Sequence, residues 1–524
     1  MTVARNTVGK ILTLSCSLGL PAVGLALPPD EAPEIELFIS GSSAQDGSLE
    51  NLMRLDAGGN GTPNICQPGT LDIYRGTIDG SRKRVYYCLT SDRLKGVPSG
   101  KRLAVHKSSG GSGEGVDPVA SAQPIRFIDL NKLPDNDACR QPSRVLFTGN
   151  LAAYSNRRDC GGTGILAVPQ VGISDIEPEL LGRNADGLAL HAQSQLVWGL
   201  PVSKNFRNAL QAIQGLVAAD VAHDAAERES EDAMPTLTRA QVASIFAGSL
   251  DSFGQMYDAE GAPVYLSSSL AAAAPTRPDL SGTSPGAYRP NAETGNKIYL
   301  CRRIASSGTQ AAYEIHYLRE RCVADAPAFV LPDDGSTLTD GGDVEQLVRR
   351  PFPAGRVFAG VGTSDVRACL DAHDEHNRWA IGIFSTENIG NNASSEFRHV
   401  KIDGFAPSLV NAHLGLWSHV SEPTLQWRAS DDEDFRDTEA GWAMMFIKSH
   451  IAQPEVLSSL NSEFEHDWGQ GGYLAMPDLA GTRPPVTAEL LRKRPVSSTQ
   501  KADGEGLRNC NVSLIRSRTS AAGF

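Results

Sequence analysis

The chain has 524 residues, 40% of them hydrophobic and 21% charged, with a formal net charge of −13. That length exceeds what one ordinary core organises, so two or more lobes of a soluble globular protein are expected. The acidic balance excludes a sequence-independent grip on nucleic acid, which needs a basic surface, and it offers anions no general attraction.

Residues 1–26 read as an export signal: Arg5 and Lys10 supply the charged start, Ile11 to Leu20 an apolar stretch, and Gly24-Leu25-Ala26 a small-residue cleavage pattern. A periplasmic or secreted mature protein is therefore expected. If Cys16 leaves with the signal, Cys66, Cys88, Cys139, Cys160, Cys301, Cys322, Cys369 and Cys510 remain, an even number for an oxidising compartment. Pairing the nearest neighbours predicts Cys66–Cys88, Cys139–Cys160 and Cys301–Cys322, with Cys369–Cys510 as the remainder. No Cys-x-x-Cys supports a metal cluster instead, and His373 and His376 lack an evident third ligand. No metal or cofactor is expected.

In chain order, Leu37-Phe38-Ile39 reads as a strand, followed by the turn Ser40 to Asp46 and a helix with Leu49, Leu52 and Met53 on one face. Leu71 to Tyr74 and Arg84 to Leu89 form a predicted hairpin around Asp79-Gly80, bracketed by Cys66 and Cys88, and residues 60–100 read as a stapled insertion. Strand Leu103-Ala104-Val105 runs into Ser108 to Val116, whose glycines either form a flexible linker or let successive N–H groups point at one anion. Asp175, in Gly172-Ile173-Ser174-Asp175, reads from its own residues as a turn aspartate.

Gln195 to Val202 is a predicted crossing strand, and the acidic segment Ala218 to Ala233 a solvated helix or loop. Leu237 to Gly248 places Val242, Ile245 and Phe246 on one helix face with Gly248 as its stop. Ser267 to Pro290 reads as a surface loop. Ile298 to Leu318 then changes period halfway, from a buried strand to a helix with Ala311, Ile315 and Leu318 on one face. The joint Ser306-Ser307-Gly308-Thr309 either caps that helix through a hydroxyl or, with Arg303 upstream, holds an anion at the helix start. Trp379 to Ser385 reads as a further strand, Asp431 to Asp434 as a solvated acidic face, and Ala443 to Ile451 and Pro454 to Leu460 as late helices.

Arg303 to Thr309 resembles the Arg-x-Asp-Gly-Ser-Gly-Thr loop of PstS-like phosphate-binding proteins, within the type II periplasmic binding fold. Ser40 to Asp46, Ser108 to Val116, Gly172 to Pro178 and Trp379 to Ser385 are similar to further stretches of that family, in its order. The resemblance implies a two-lobed α/β type II periplasmic binding protein fold carrying disulfide-stapled insertions. On that reading residues 27–195 begin lobe I, 196–400 form lobe II, and 401–524 return to lobe I with a C-terminal extension.

It implies ligand-binding roles for Gln45, Asp46, Ser112, Asp175, Arg303, Ser307, Gly308 and Thr309. Asp175 would accept a hydrogen bond from a protonated phosphate oxygen. The chain departs from the family at Asp46 and Glu114, whose charges oppose an anion, and at Ala305, which replaces an aspartate that orients the arginine. Three functions follow as alternatives. The first is an exported, monomeric binding protein that delivers phosphate or another small oxyanion to an ABC transporter permease. The second is a secreted scaffold or adhesion protein that keeps the fold without the ligand. The third is a hydrolase with Ser112 or Ser307 as nucleophile, for which no local nucleophile signature occurs.

Overall fold

The computed structural model describes residues 31–54, 65–133, 139, 143–146, 154–160, 164–192, 194–270, 297–330, 344–348, 356–390, 396–431, 435–477, 487–501 and 508–515. The expected export signal, most of the loop expected at 267–290 and the acidic run beyond Asp431 lie outside them. Among the described residues no helix is long and apolar enough to cross a membrane.

Two separate sheets define two α/β lobes. The first has β1 (Ile35–Gly41) at its centre, and the apolar run Ile35, Leu37, Phe38 and Ile39 is buried, as a strand covered on both faces requires. β1 is parallel to β4 (Arg102–Ser109) on one side and to strand Val171–Ser174 on the other. Parallel neighbours need crossovers, and α1 (Asp46–Arg54) supplies the first, burying Leu49, Leu52 and Met53 as predicted. Helix Glu439–His450 covers the same core through Met444 and Ile447.

The predicted hairpin is present and longer than its apolar residues suggested: β2 (Asp72–Ile78) and β3 (Ser81–Leu89) meet at Asp79 and Gly80, both at positive φ (50° and 72°). That conformation is the tight turn an Asp-Gly pair favours. It is not a separate flap, since β3 pairs antiparallel with β4 from Arg82↔Ser109 to Leu89↔Arg102 and extends the sheet.

The second sheet has the order Val357–Gly360, Tyr299–Arg303, Ala380–Gly382, Pro201–Ser203, Phe397–His399. Its first three strands are parallel. The predicted helix after Tyr299–Arg303 exists as Gly308–Tyr313, continued by a π-helical turn over Glu314–Leu318. Tyr313 donates its hydroxyl hydrogen to the Gly199 carbonyl and lies 3.0 Å from Phe384 O, so this helix is tied to the segment before strand Pro201–Ser203 and to the one after strand Ala380–Gly382. Helix Arg239–Phe246 has the reciprocal cap of Thr238 and Gln241, and Gly248 follows at φ 72°. The acidic segment before it is a solvated loop, as expected, with Asp220, Asp224, Glu227, Glu231 and Asp232 exposed. It wraps the fully buried Arg228, which donates to the carbonyls of Ala218, Val221 and Ala222.

All eight cysteines pair, but two of the expected bridges are exchanged. Cys66–Cys88 and Cys139–Cys160 stand as predicted, whereas Cys301 joins Cys369 and Cys322 joins Cys510. Cys301 sits on a central strand and faces helix Thr363–Glu375, with its Cα 5.9 Å from that of Cys369. The helical stretch 308–318 rises ~1.5 Å per residue and carries Cys322 beyond the ~7 Å reach of a bridge to Cys301. Among the described residues, the His/Cys cluster of metal-like spacing that includes His373 contains Cys301 and Cys369, whose sulfurs are spent on each other.

Candidate functional site

Parallel strands deliver the residues that follow them to one edge of a sheet, and the crevice beyond those carboxyl ends is where open α/β sheets bind ligands. In lobe I that edge gathers Ser42 after β1, Ser108 to Ser112 after β4, and Asp175 after strand Val171–Ser174. In lobe II it gathers Arg303 to Gly308, Val361 to Thr363, and Ser385 to Glu387, from the ends of three parallel strands. The two edges face each other. An ideal Cβ placed on Gly308 would lie 2.1 Å from Ser112 Oγ and 2.9 Å from Asp175 Oδ2, and one on Gly113 would lie 3.5 Å from the Ser306 carbonyl.

The lobe I half is built on close backbone approach. A Cβ on Gly41 would sit 2.0 Å from the Ile173 carbonyl oxygen, and one on Gly172 would sit 1.7 Å from that of Gly115, so these three turns nest only because glycine has no side chain. Asp175 is buried. Ser42 donates its hydroxyl hydrogen to Asp175 Oδ1, and the Asp175 N–H donates to Ser112 Oγ at 3.0 Å. Burial pushes the Asp175 carboxyl up, opposed by Ser42, Arg303, Ser112 and Lys107. A carboxyl so placed can share a proton with an oxyanion.

Arg303 ends its strand 4% exposed. Its guanidinium donates to the Gly360 carbonyl at 3.3 Å, to Thr363 Oγ1 at 3.4 Å and to the Val361 carbonyl. Two backbone carbonyls and a hydroxyl thus fix the guanidinium in place. Burial pulls the guanidinium down to about 10, with Asp175 and Asp365 opposing, and it stays cationic at neutral pH. Ser307 occupies the position before the helix, yet its hydroxyl does not cap it, contrary to one of the two readings of that joint. Thr309 is buried on the first turn.

The two carboxylates expected to repel an anion are otherwise engaged. Asp46 lies 2.7 Å from Arg84, 3.3 Å from Lys107 and 2.8 Å from Ser109 Oγ. Burial would raise its carboxyl, but Arg84 and Lys107 more than offset this and hold it below the ordinary range. Glu114 turns back onto β3 and β4, where it accepts from Ser108 and lies 3.5 Å from Lys83. Gln45 is buried and its carbonyl opens α1 by accepting from Leu49 N–H at 3.1 Å. Among the described residues no histidine is hydrogen-bonded to Ser112 or Ser307, the candidate hydrolase nucleophiles.

A cavity of about 270 Å³ opens between the lobes, lined by Ser43, Asp46, Arg75, Arg82, Arg84 and Glu50 from one and by Thr363 and Glu387 from the other, and Thr363 links it to Arg303. Glu387 accepts from Tyr473 and, at 3.2 Å, from Ser385. Sequence reading missed Ser42, Lys107, Thr363, Glu387 and these arginines. The signal at Lys107 was a lysine two residues past the apolar run Leu103-Ala104-Val105, and at Arg82 and Arg84 a two-residue alternation on β3.

No protein-family model and no curated protein matches the chain. Among solved structures it is similar to a phosphate ABC transporter substrate-binding protein with bound phosphate from Clostridium perfringens, at 11% identity over 81% of this chain and 97% of that one, with a TM-score of 0.36. It is also similar to PstS from Borrelia burgdorferi, at 11% identity over 84% and 99% of the two chains and a TM-score of 0.31. An ABC-type phosphate transport receptor from Vibrio cholerae matches at 14% identity over 57% and 80%, with a TM-score of 0.29.

Proposed function

We propose that the chain is an exported solute-binding protein whose two lobes close on a small oxyanion, phosphate first among the class, for delivery to an ABC transporter. The observation that supports this reading is the meeting of Ser42, Ser112 and Asp175 from one lobe with Arg303 and Gly308 from the other. Of the residues named by their likeness to the phosphate-binding loops, Ser112, Asp175, Arg303 and Gly308 are far apart in sequence and lie together at the carboxyl ends of parallel strands. Chemically, a buried guanidinium attracts the anion, hydroxyl groups donate to its oxygens, and Asp175 accepts from the one oxygen that still carries a proton. A fully ionised tetrahedral anion such as sulfate has no such proton and is repelled by the carboxylate. The four disulfides fit an oxidising compartment.

The test is titration calorimetry with phosphate and sulfate on the mature wild type, Arg303→Ala and Asp175→Asn. Phosphate heat in the wild type, lost in Arg303→Ala, with sulfate gaining on phosphate in Asp175→Asn, is the expected pattern. Absence of heat for either anion in the wild type would favour the scaffold alternative.

A further inference from the structure

The cavity between the lobes is larger than a bare tetrahedral oxyanion needs. At about 270 Å³ it approaches the ~300 Å³ at which small-molecule pockets begin, and it exceeds by far the ~30 Å³ share of a water. Its walls carry an uneven charge. Arg75 of β2 and Arg84 of β3 are direct cross-strand partners, an opposition of like charges that weakens a sheet unless an anion stands between them. A single carboxylate does so: Glu50, reaching from α1, lies 2.7 Å from Arg75 and 3.9 Å from Arg84, and it also pairs with Arg54.

Asp46 is likewise divided between Arg84 and Lys107. Arg75, Arg84 and Lys107 thus stand around Glu50 and Asp46, and Arg82, two residues from Arg84 on the same face of β3, adds an exposed cation to the cavity wall. Two more acids border the cavity. Glu463 is exposed, and Glu387 is turned to Tyr473 and Ser385, with burial pushing its carboxyl up to about 8 so that it adds little negative charge at neutral pH. Arg303 and the cavity share one residue, since Thr363 accepts from Arg303 and lines the wall.

We propose that this cavity is a second anionic subsite, and that the ligand is a small phosphomonoester bearing a carboxylate, its phosphoryl group at Ser112, Asp175 and Arg303 and its carboxylate between Arg75 and Arg82. The proposal rests on the oxyanion reading above and names its ligand class. Arginine suits the task because its planar fork meets a carboxylate with two parallel hydrogen bonds.

The experiment is titration of the mature protein with 3-phosphoglycerate, with glycerol 3-phosphate, which has similar size but no carboxylate, and with phosphate and pyrophosphate. The expected result is that 3-phosphoglycerate binds about tenfold or more tighter than glycerol 3-phosphate, and that the preference vanishes in Arg75→Gln/Arg82→Gln. Arg82→Gln alone, at an exposed side chain, should shrink it without threatening the fold. Equal affinities in the wild type, or a preference that survives the double variant, overturn the subsite. Pyrophosphate binding more tightly than 3-phosphoglycerate overturns the ligand class. If 3-phosphoglycerate still binds Asp175→Asn/Arg303→Ala but not the Arg75/Arg82 double variant, the subsite stands and the phosphoryl seat falls. Silence toward every probe overturns both.

Discussion

Lys107 Nζ lies 3.3 Å from Asp46 Oδ1, and both side chains are buried at the mouth of the interlobe crevice. The lysine also donates to the carbonyls of Gly41, Ser42 and Ser108, so one ammonium binds the turn after β1 to the end of β4. A buried charge stripped of its counterion is costly, about 3–5 kcal/mol when one partner of a pair is removed. Asp46→Asn should therefore lower the unfolding free energy by roughly that amount, and Lys107→Met in the same chain should restore part of it. Urea unfolding of the three proteins checks this, and an Asp46→Asn cost below about 1 kcal/mol would show that the pair is not what holds the turn.

Gly308→Ala puts a methyl group where Ser112 Oγ stands 2.1 Å away and Asp175 Oδ2 2.9 Å away. Both are side-chain atoms, but Ser112 Oγ is held by the Asp175 N–H and Asp175 by Ser42, and Asp175 Cβ stands 2.8 Å away, so relief requires the two loops to move apart. We expect phosphate affinity to fall at least about tenfold while thermal stability falls modestly, by the ~1–3 kcal/mol of an overpacked contact. Unchanged affinity in calorimetry would mean that the two loops do not close on the ligand.

Burial pushes the Glu387 carboxyl up to about 8 from its ordinary 4.5, with Tyr473 and Ser385 opposing and Asp46 and Asp175 adding to the rise. A carboxyl held high keeps its proton in the fold after the unfolded chain has released it. Its contribution to stability is thus whole below about pH 4.5 and is lost as the pH rises toward 8. Glu387→Gln removes that loss, so its melting temperature relative to wild type should climb between about pH 5 and pH 8 and level off above. A difference that stays constant across this range would contradict the assignment.

Non-reducing peptide mapping should give Cys301–Cys369 and Cys322–Cys510, and a peptide joining Cys301 to Cys322 would refute the topology of lobe II. Cys301→Ser/Cys369→Ser should cost about 2–5 kcal/mol, because the bridge fastens helix Thr363–Glu375 to the central strand inside a core of Tyr299, Phe358, Leu370 and Phe384.

What the sequence made legible was local. Asp79-Gly80 announced its hairpin, Gly248 the stop of its helix, and the apolar runs before Ser40, Ser108 and Arg303 their strands, because each rests on chemistry within a few residues. The disulfides failed where distance along the chain misled. Cys301 and Cys322 are close in number, but a helix lies between them, and the true partners come from elements that only tertiary packing brings together. The candidate site was legible as loops and not as charges. Asp46 and Glu114 read as obstacles because Arg84, Lys107 and Lys83, which neutralise them, come from neighbouring strands whose register the sequence does not display. Arg228, inside a segment that looked merely acidic, was hidden for the same reason.

The bridge from Cys322 to Cys510 bears on how such a molecule could move. Cys322 follows the long helical stretch of the second sheet, while Asn509, adjoining Cys510, donates to Glu177 Oε2 at 2.6 Å and to the Glu422 carbonyl at 3.2 Å, both beside the first sheet. A covalent strap therefore spans the lobe boundary and is moored by hydrogen bonds at its far end. A sulfur–sulfur bond does not lengthen, so the jaws cannot slide apart as free bodies. While that mooring holds, any separation of the two sheets would have to turn about it, and residues 508–515 would limit how far it goes.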